Sequence, residues 1–229
     1  MSDVTATKKV GKSRRDPERT REAILSVACK VLAKDGPEGL SVSEVAQLAG
    51  VNRGTAYHHF PTREELLSAT TEWVSERLCR EVFGDQLRAS DKQLVPQTVI
   101  ANLTGFAMDN PEFGRVWLYT VLSSNQPAND PFWNRFLSHV ETFARSELAQ
   151  PGVDSEVHAA QMLVGLFLWP IWARVDSLTP AGRRKMSERY SNEVLRSSLF
   201  GTMRPDMFPE LASRFGSAAD ADAEAAPDA

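Results

Sequence analysis

The sequence predicts an all-α protein of about nine helices, in which a small N-terminal group of three helices precedes a larger helical domain. Apolar residues recur along most of the chain at intervals of three and four positions, which is the spacing of the buried face of a helix. From about residue 90 to residue 203, no stretch alternates with the period of two that a half-buried strand requires. Breakers such as Asn110-Pro111 and Gln150 to Gly152 separate one periodic segment from the next.

The composition is that of an ordinary soluble globular protein, with 42% hydrophobic and 24% charged residues. No apolar run reaches the ~18 to 20 residues that a membrane helix needs, and the basic N-terminus lacks the apolar core of a signal peptide. We therefore expect a cytoplasmic protein with no membrane partner. Cys29 and Cys79 both fall in helical patterns, which predicts buried, reduced thiols rather than a disulfide or a metal site.

The first helix is predicted to begin at Asp16, with Pro17 at its first position, where the missing amide does no harm. Asp35-Gly36-Pro37 ends it. Its buried stripe is predicted to consist of Ile24, Ala28, Val31 and Leu32.

A second, shorter helix is expected to begin at Ser41. Glu44 follows three residues later, which is the pattern of a capping box. Gly50 is placed to end the helix in the left-handed conformation that costs glycine little. The apolar face of this helix comprises Val45, Ala46 and Ala49.

A third helix is expected to begin at Asn52, a strong N-cap residue type. Ala56 and Phe60 are spaced to pack inward, so the remaining residues of its first two turns face outward. A helix this short is not stable alone in water and must be displayed by a scaffold. A recognition helix presents residues to DNA base edges in this way. The alternative is an ordinary two-helix corner whose polar residues are merely solvated.

Positive charge is concentrated in this N-terminal part of the chain. Residues 1 to 60 contain ten Lys and Arg against seven Asp and Glu, whereas the remainder contains sixteen against twenty-three. Such a distribution suits the neutralisation of nucleic-acid phosphates. Residues 1–15 are basic and aperiodic, and we expect a disordered arm that is either a solvated tail or an extension reaching a DNA groove.

The run from Ala49 to Leu66, A-G-V-N-R-G-T-A-Y-H-H-F-P-T-R-E-E-L, resembles the DNA-binding signature of the TetR family of bacterial transcriptional regulators. The resemblance extends back to about Asp16. It implies a homodimeric regulator, most often a repressor, that releases a palindromic double-stranded DNA operator when a small-molecule effector binds. It also implies a helix-turn-helix DNA-binding domain at residues 16–61 and a helical ligand-binding and dimerisation domain at residues 62–215.

The resemblance implies two groups of DNA-binding residues. The residues expected to face bases are Arg53, Gly54, Thr55 and His58, with Ser43 joining them. The residues expected to hold phosphates are Ser41, Tyr57, His59, Thr62 and Arg63. The family often has lysine where this chain has Arg63.

A long fourth helix is predicted to follow, because Thr62 and Glu65 form a second capping box. It is expected to act as a rigid strut that carries a ligand signal to the DNA-binding domain. Its apolar positions are Leu66, Leu67, Trp73, Val74 and Leu78. The five remaining helices are expected near residues 91–109, 111–124, 131–149, 154–177 and 181–202.

Two of these C-terminal segments are unusually aromatic. Core packing explains any single aromatic side chain, but as a group with a few polar tips they favour the wall of an apolar ligand cavity. The resemblance implies such a pocket without naming its residues, so their choice rests on periodicity. The predicted ligand-binding residues are Phe113, Trp117, Thr120, Phe136, His139, Phe143, Met162 and Trp169.

The segment from Ser155 to Ser177 is apolar nearly all round, which predicts burial on both sides. Pro170 is expected to kink it. With the helix that follows, it is expected to form half of the four-helix dimer bundle that the resemblance implies, with Gly165 permitting close backbone approach. The predicted dimerisation residues are Val157, Gln161, Val164, Gly165, Leu168, Trp172, Tyr190 and Val194.

The last residues, 216–229, are rich in Ala and Asp and are expected to form a disordered acidic tail. The sequence contains no G-x-S-x-G motif, no phosphate-binding glycine loop, no H-E-x-x-H motif and no Cys pair at metal spacing. We therefore expect neither an enzyme nor a cofactor. The alternatives are a ligand-independent DNA-binding protein and a helical enzyme of another kind.

Overall fold

The computed structural model of the protein describes residues 17–84, 96–200 and 206. These residues form nine α-helices with short 3-10 turns and no strand, which confirms the predicted all-α class. The predicted arm (1–15) and tail (216–229) lie outside the described residues.

The chain divides into two compact units, residues 1–70 and residues 71–229. This division falls inside the fourth helix, whereas the predicted domain boundary follows residue 61. The helices of the first unit are α1 (Pro17–Asp35), α2 (Val42–Leu48), α3 (Arg53–His59) and the beginning of α4 (Arg63–Phe83).

Helix α1 contributes one side of the core of the first unit. Its predicted stripe, Ile24, Ala28, Val31 and Leu32, is buried as expected. The helix ends at Gly36, whose φ of 71° lies in the left-handed region that glycine adopts without strain. A single 3-10 turn, Pro37–Gly39, then leads into α2.

Helix α2 ends as predicted but begins differently. Gly50 has a φ of 63°, and the amides of Gly50 and Val51 donate to the carbonyls of Gln47 and Ala46 at 3.2 and 2.9 Å, which is a Schellman motif. Ser41 occupies the N-cap position, but its side chain makes no capping hydrogen bond, so the predicted capping box does not form. The start of α2 therefore depends on the burial of Val42, which is 4% exposed.

Helix α3 begins as predicted, because the Asn52 side chain accepts a hydrogen bond from the Gly54 amide at 2.8 Å. Ala56 is fully buried and Phe60 is nearly so, which confirms the expected inward-facing positions. The Arg21 guanidinium lies 5.7 Å from the Phe60 ring centroid, so α1 covers the end of α3 with a cation-π contact. Packing against α1 and α2 thus holds a helix that could not form alone.

The second unit contains the rest of α4 and five further helices. These are α5 (Pro96–Asp109), α6 (Pro111–Ser123), α7 (Pro131–Ala144), α8 (Ser155–Trp172) and α9 (Pro180–Phe200). Helices α5, α6, α7 and α9 begin with proline, which favours the first helical position. The most extensive helix pairing of this unit is that of α5 with α9. The largest fully buried side chains here are Val74, Leu78, Val82, Leu103, Met108, Phe132, Leu163 and Phe167.

Two helices are shorter than the apolar pattern predicts. Helix α7 ends at Ala144 rather than near residue 149, and turns follow it. Helix α8 ends at Trp172 rather than Ser177, because Arg174 adopts a left-handed φ of 53°. Val175 nevertheless remains buried in the 3-10 turn that follows, which explains why the apolar pattern continues past the end of the helix.

Neither cysteine is in a disulfide bond, but only one of the two is fully buried. Cys29 is buried in the core of the first unit. Cys79 is half-buried, and burial raises the pKa of its thiol to about 11, with the Asp130 carboxylate adding to the effect. At neutral pH the Cys79 thiol therefore carries little of the thiolate that makes a cysteine nucleophilic.

Candidate functional site

The face of α3 opposite the core is open to solvent. Arg53, Gly54, Thr55 and His58 are all exposed. Tyr57 is 47% exposed and His59 is half-buried. Because Ala56 is fully buried on the other side, the helix has one fixed orientation and presents this set of side chains together.

The neighbouring side chains predicted to contact DNA differ in exposure. Ser41 and Ser43 are half-buried, and Thr62 is exposed. The Thr62 hydroxyl accepts from the Glu65 amide at 3.1 Å, so half of the predicted second capping box is present. Thr62 therefore caps α4 while its other surface remains accessible.

Two exposed residues of α2 were not among the predicted contacts. Gln47 is exposed, and Leu48 is 60% exposed although it is a large apolar residue. On a helical wheel, Gln47 and Leu48 both fall away from the inward side that the buried Val45 and Ala46 define, so helical spacing identifies them as exposed residues. An exposed leucine beside a polar face is suited to contact a thymine methyl group.

Arg63 is engaged within the protein. Its Nε and Nη2 atoms donate to the Pro37 carbonyl at 3.2 and 2.6 Å, and its Nη2 lies 3.3 Å from a carboxylate oxygen of Glu38. This pair of hydrogen bonds from Arg63 to the Pro37 carbonyl, the Arg63 fork, differs from the predicted arrangement, in which Arg63 reaches outward to a phosphate. Sequence spacing could not reveal it, because the partners are 26 residues apart.

The predicted ligand-binding residues are distributed between a packed aromatic core and a small cavity. Phe113 and Trp117 are buried, with ring centroids 5.3 Å from Trp73 and 5.1 Å from Phe167, respectively. The Trp117 indole donates to a carboxylate oxygen of Asp130 at 3.0 Å. Both side chains thus make their contacts within the core.

Three further predicted ligand residues make contacts inside the chain. The Thr120 hydroxyl donates to the Val116 carbonyl at 2.9 Å, and the Trp169 indole donates to the Met186 carbonyl at 3.1 Å. His139 stacks on Phe83 with centroids 4.5 Å apart, and Phe143 is half-buried.

Burial of His139 favours its neutral form. Its Nδ1 lies 2.8 Å from the carbonyl oxygen of Arg135, with which it shares a hydrogen bond. Burial lowers the pKa of the imidazole more than this hydrogen bond raises it, and the neighbouring positive charge of Arg135 adds to the lowering. A histidine of this kind suits a packed wall better than an acid-base role.

Phe136 and Met162 are the predicted ligand residues that line a cavity in the second unit. The cavity has a volume of about 10 Å³, which is near the minimum for one water molecule. Tyr190 is the polar side chain at its wall, and burial raises the pKa of its hydroxyl. The lining residues are Ile100, Leu103, Phe136, Met162, Leu166, Tyr190 and Val194.

The predicted dimerisation residues fall into two groups. Those on α8 form a solvent-facing stripe, which includes Trp172 at 77% exposure and continues through the unpredicted Ile171. The predicted members of this stripe are Val157, Gln161, Val164, Leu168 and Trp172.

The other group packs inside the subunit. Tyr190 and Val194 are half-buried and line the cavity described above. A Cβ built on Gly165 would lie 2.8 Å from the Tyr190 hydroxyl oxygen, so the close approach at Gly165 is between α8 and α9 of one chain. The expectation that Gly165 admits a partner's backbone is corrected accordingly.

No group of three or more His, Cys, Asp or Glu side chains within residues 17–84 and 96–200 is arranged to hold a metal ion. The His58 and His59 rings lie 6.0 Å apart at an angle of 64° and point in different directions. None of the helices in these ranges is sufficiently long and apolar to cross a membrane.

Comparison with known proteins identifies relatives of the chain. The family described as "Bacterial regulatory proteins, tetR family" matches residues 24–70. The HTH-type transcriptional regulator CymR of Pseudomonas putida is 32% identical over 102 residues, which cover 43% of this chain and 50% of CymR. The chain thus spans about half the length of this relative.

The chain matches a larger share of a second relative. The HTH-type transcriptional regulator PksA of Bacillus subtilis is 33% identical over 157 residues, which cover 64% of this chain and 75% of PksA. A crystal structure of a tetR-family bacterial regulatory protein from Rhodococcus RHA1 has the same fold, with a TM-score of 0.59 and 21% identity over 79% of this chain and 97% of that one. The helix-turn-helix sequence, the fold and these relatives agree, and the chain belongs to the TetR family of bacterial regulatory proteins.

Proposed function

We propose that the chain is a DNA-binding transcriptional regulator that inserts α3 into the major groove of a double-stranded operator. The observation that supports this most directly is the exposed face of α3 above the buried Ala56. Arg53 is the proposed guanine-reading residue, because a guanidinium can bond O6 and N7 together. Gly54, Thr55, His58 and Ser43 are the proposed neighbours at base edges, and Ser41, Tyr57, His59 and Thr62 the proposed phosphate contacts.

The proposed regulator acts as a homodimer. The stripe on α8 supports this, because exposed Val157, Val164, Leu168 and Trp172 form an apolar surface that a soluble monomer would leave in water. A twofold pair would bring two α3 helices to successive major grooves, roughly 34 to 36 Å apart, and would read a partly palindromic operator. The proposed site of action is the cytoplasm, and no catalytic role is proposed.

The proposed mode of control is repression that ends when a small, largely apolar effector binds the second unit. An effector releases DNA if it binds the DNA-incompetent arrangement more tightly than the competent one. The cavity lined by Phe136, Met162 and Tyr190 exposes only apolar atoms, which supports an apolar ligand. Met162 is flexible enough to let such a cavity grow.

A second candidate function is ligand-independent DNA binding. The small cavity favours it, since about 10 Å³ is far below the ~300 to 1,000 Å³ of an ordinary ligand pocket. Thermal unfolding in the presence of an apolar ligand library separates the two candidates, because a ligand that binds the native state raises the melting temperature. A hit that also weakens DNA binding supports the effector mechanism, and the absence of any hit supports the alternative.

Selection of bound sequences from a random DNA pool tests DNA recognition itself. We expect enrichment of a partly palindromic site, with log affinity falling linearly as log salt concentration rises. The proposed function is wrong if the full chain shows no salt-dependent binding to any duplex.

A further inference from the structure

The fork between Arg63 and Pro37 connects two segments of the first unit that are far apart in the sequence. It joins the first turn of α4 to the turn between α1 and α2. The 26-residue separation encloses α2, the Gly50 turn and α3. The fork therefore closes a loop around the whole helix-turn-helix.

The Pro37 carbonyl is the centre of this connection. It accepts from the Leu40 amide at 3.1 Å as well as from Nε and Nη2 of Arg63. Leu40 is 2% exposed and immediately precedes the N-cap of α2. The position at which the chain enters α2 is thus set by a carbonyl that Arg63 holds from the other end of the helix-turn-helix.

The Arg63 side chain directs most of its donors toward groups of its own chain. A guanidinium has five N–H groups. The Nε proton and the Nη2 group face Pro37 and Glu38, and Nη1 lies 3.9 Å from Glu64. A phosphate contact would have to use Nη1 alone or break the fork. A lysine at this position would keep the charge but could not donate from two nitrogens to the same carbonyl oxygen.

We propose that Arg63 is a positioning residue, which ties α4 to the Pro37 turn and thereby holds α2 and α3 in the geometry that binds DNA, rather than a phosphate ligand. This inference rests on the proposed DNA binding, but the connection itself exists without DNA. It replaces the expected phosphate role of Arg63 with one that acts through the Pro37 carbonyl.

The experiment compares the full chain with Arg63→Gln and Arg63→Lys in two measurements. The first is hydrogen exchange of the Leu40 amide without DNA. We expect exchange about tenfold faster in Arg63→Gln and a smaller increase in Arg63→Lys, because the carbonyl that the amide shares with Arg63 is released. An unchanged Leu40 exchange rate in both variants overturns the proposal, whether or not the protein binds DNA.

The second measurement is affinity for the selected operator across a salt series. We expect Arg63→Gln to weaken binding about tenfold with an unchanged slope of log affinity against log salt. A slope smaller in magnitude by about 0.9, as for one lost phosphate contact, overturns the proposal. Full rescue by Arg63→Lys would do so too, because charge alone would then suffice.

Arg53→Gln is the matched control, since it removes the same group from the exposed face of α3. It should weaken operator binding and leave Leu40 exchange unchanged. If Arg63→Gln does not fold, both measurements are made on Arg63→Lys alone. Failure of the native chain to bind DNA would refute the proposed function and leave the exchange result to decide the structural connection.

Discussion

Gly165 of α8 lies directly beneath the Tyr190 hydroxyl of α9, where a Cβ would come within 2.8 Å of the hydroxyl oxygen. The Tyr190 ring also packs against Trp169, one turn further along α8, with centroids 5.5 Å apart and ring planes tilted by 32°. Moving the hydroxyl away from Gly165 would therefore disturb this ring contact. Absence of a side chain at position 165 is what allows α9 to pack its aromatic face against α8.

We predict that Gly165→Ala destabilises the protein by about 1 to 2 kcal/mol, because the added methyl overpacks a filled contact. Urea unfolding measures the change. Gly105→Ala is the matched control, since its nearest neighbour is the Ser187 hydroxyl at 4.0 Å. Alanine there should be neutral or stabilising by up to ~1 kcal/mol through its helix propensity. Equal effects of the two substitutions would contradict the role of the Tyr190 contact.

We predict that Trp172→Asp weakens dimerisation by ~2 kcal/mol or more, because a charge would replace the most exposed large apolar side chain of the proposed interface stripe. Sedimentation equilibrium over a range of concentrations measures the effect. Leu122→Asp is the control, because Leu122 is 83% exposed on α6, outside the α8 stripe. A Trp172→Asp variant as dimeric as the Leu122→Asp variant would remove the α8 stripe from the interface.

We predict that Arg53→Ala and Tyr57→Phe affect DNA binding differently. Loss of Arg53 should cost ~1 to 3 kcal/mol and relax selectivity at one base pair, because a bidentate base contact disappears. Loss of the Tyr57 hydroxyl should weaken binding to all sequences alike, because a phosphate contact carries no sequence information. Titration against the selected operator and a scrambled duplex measures both. Identical losses on both duplexes for Arg53→Ala would refute the assignment.

We predict that stability falls as the pH is lowered from about 7 to about 5. The pKa of His139 is lowered by burial, and so is that of His158. The unfolded chain therefore takes up protons first, near the ordinary pKa of about 6.5, and the native state loses relative stability below that pH. Urea unfolding at the two pH values measures the loss, which should be smaller in His139→Gln. A loss as large in His139→Gln as in the native chain would show that this imidazole does not contribute.

Local chemistry was sufficient to predict the helix-turn-helix. Asn52 caps α3 and Gly50 ends α2 because each depends on neighbours within a few residues. The capping box at Ser41 was wrong, since the side chain found no partner although the residue type and spacing were suitable. The predicted ends of α7 and α8 were also wrong. After α8 the apolar periodicity continues because Val175 remains buried in the turn that follows, whereas Leu148, in the turns after α7, is 68% exposed.

The roles of side chains in the second unit were less predictable. Periodicity identified the apolar residues of α8 but could not tell which would face a partner and which would face α9 of the same chain. Trp172 was assigned to dimerisation and is exposed, and Met162 was assigned to ligand binding and lines the cavity, but Gly165 and Tyr190, both assigned to dimerisation, contact each other within the chain. The aromatic residues assigned to a ligand wall are mostly packed against one another, as Trp117 is against Phe167.

From sequence alone, the helical class, the position of the helix-turn-helix and the outward residues of α3 were determined, because these depend on periodicity and on caps that act over one turn. Tertiary structure alone decided that Arg63 holds the Pro37 carbonyl and that Gly165 receives Tyr190. Each of these contacts joins residues about 25 positions apart. Their geometry depends on how whole helices cross, and no pattern of neighbouring residues encodes such a crossing.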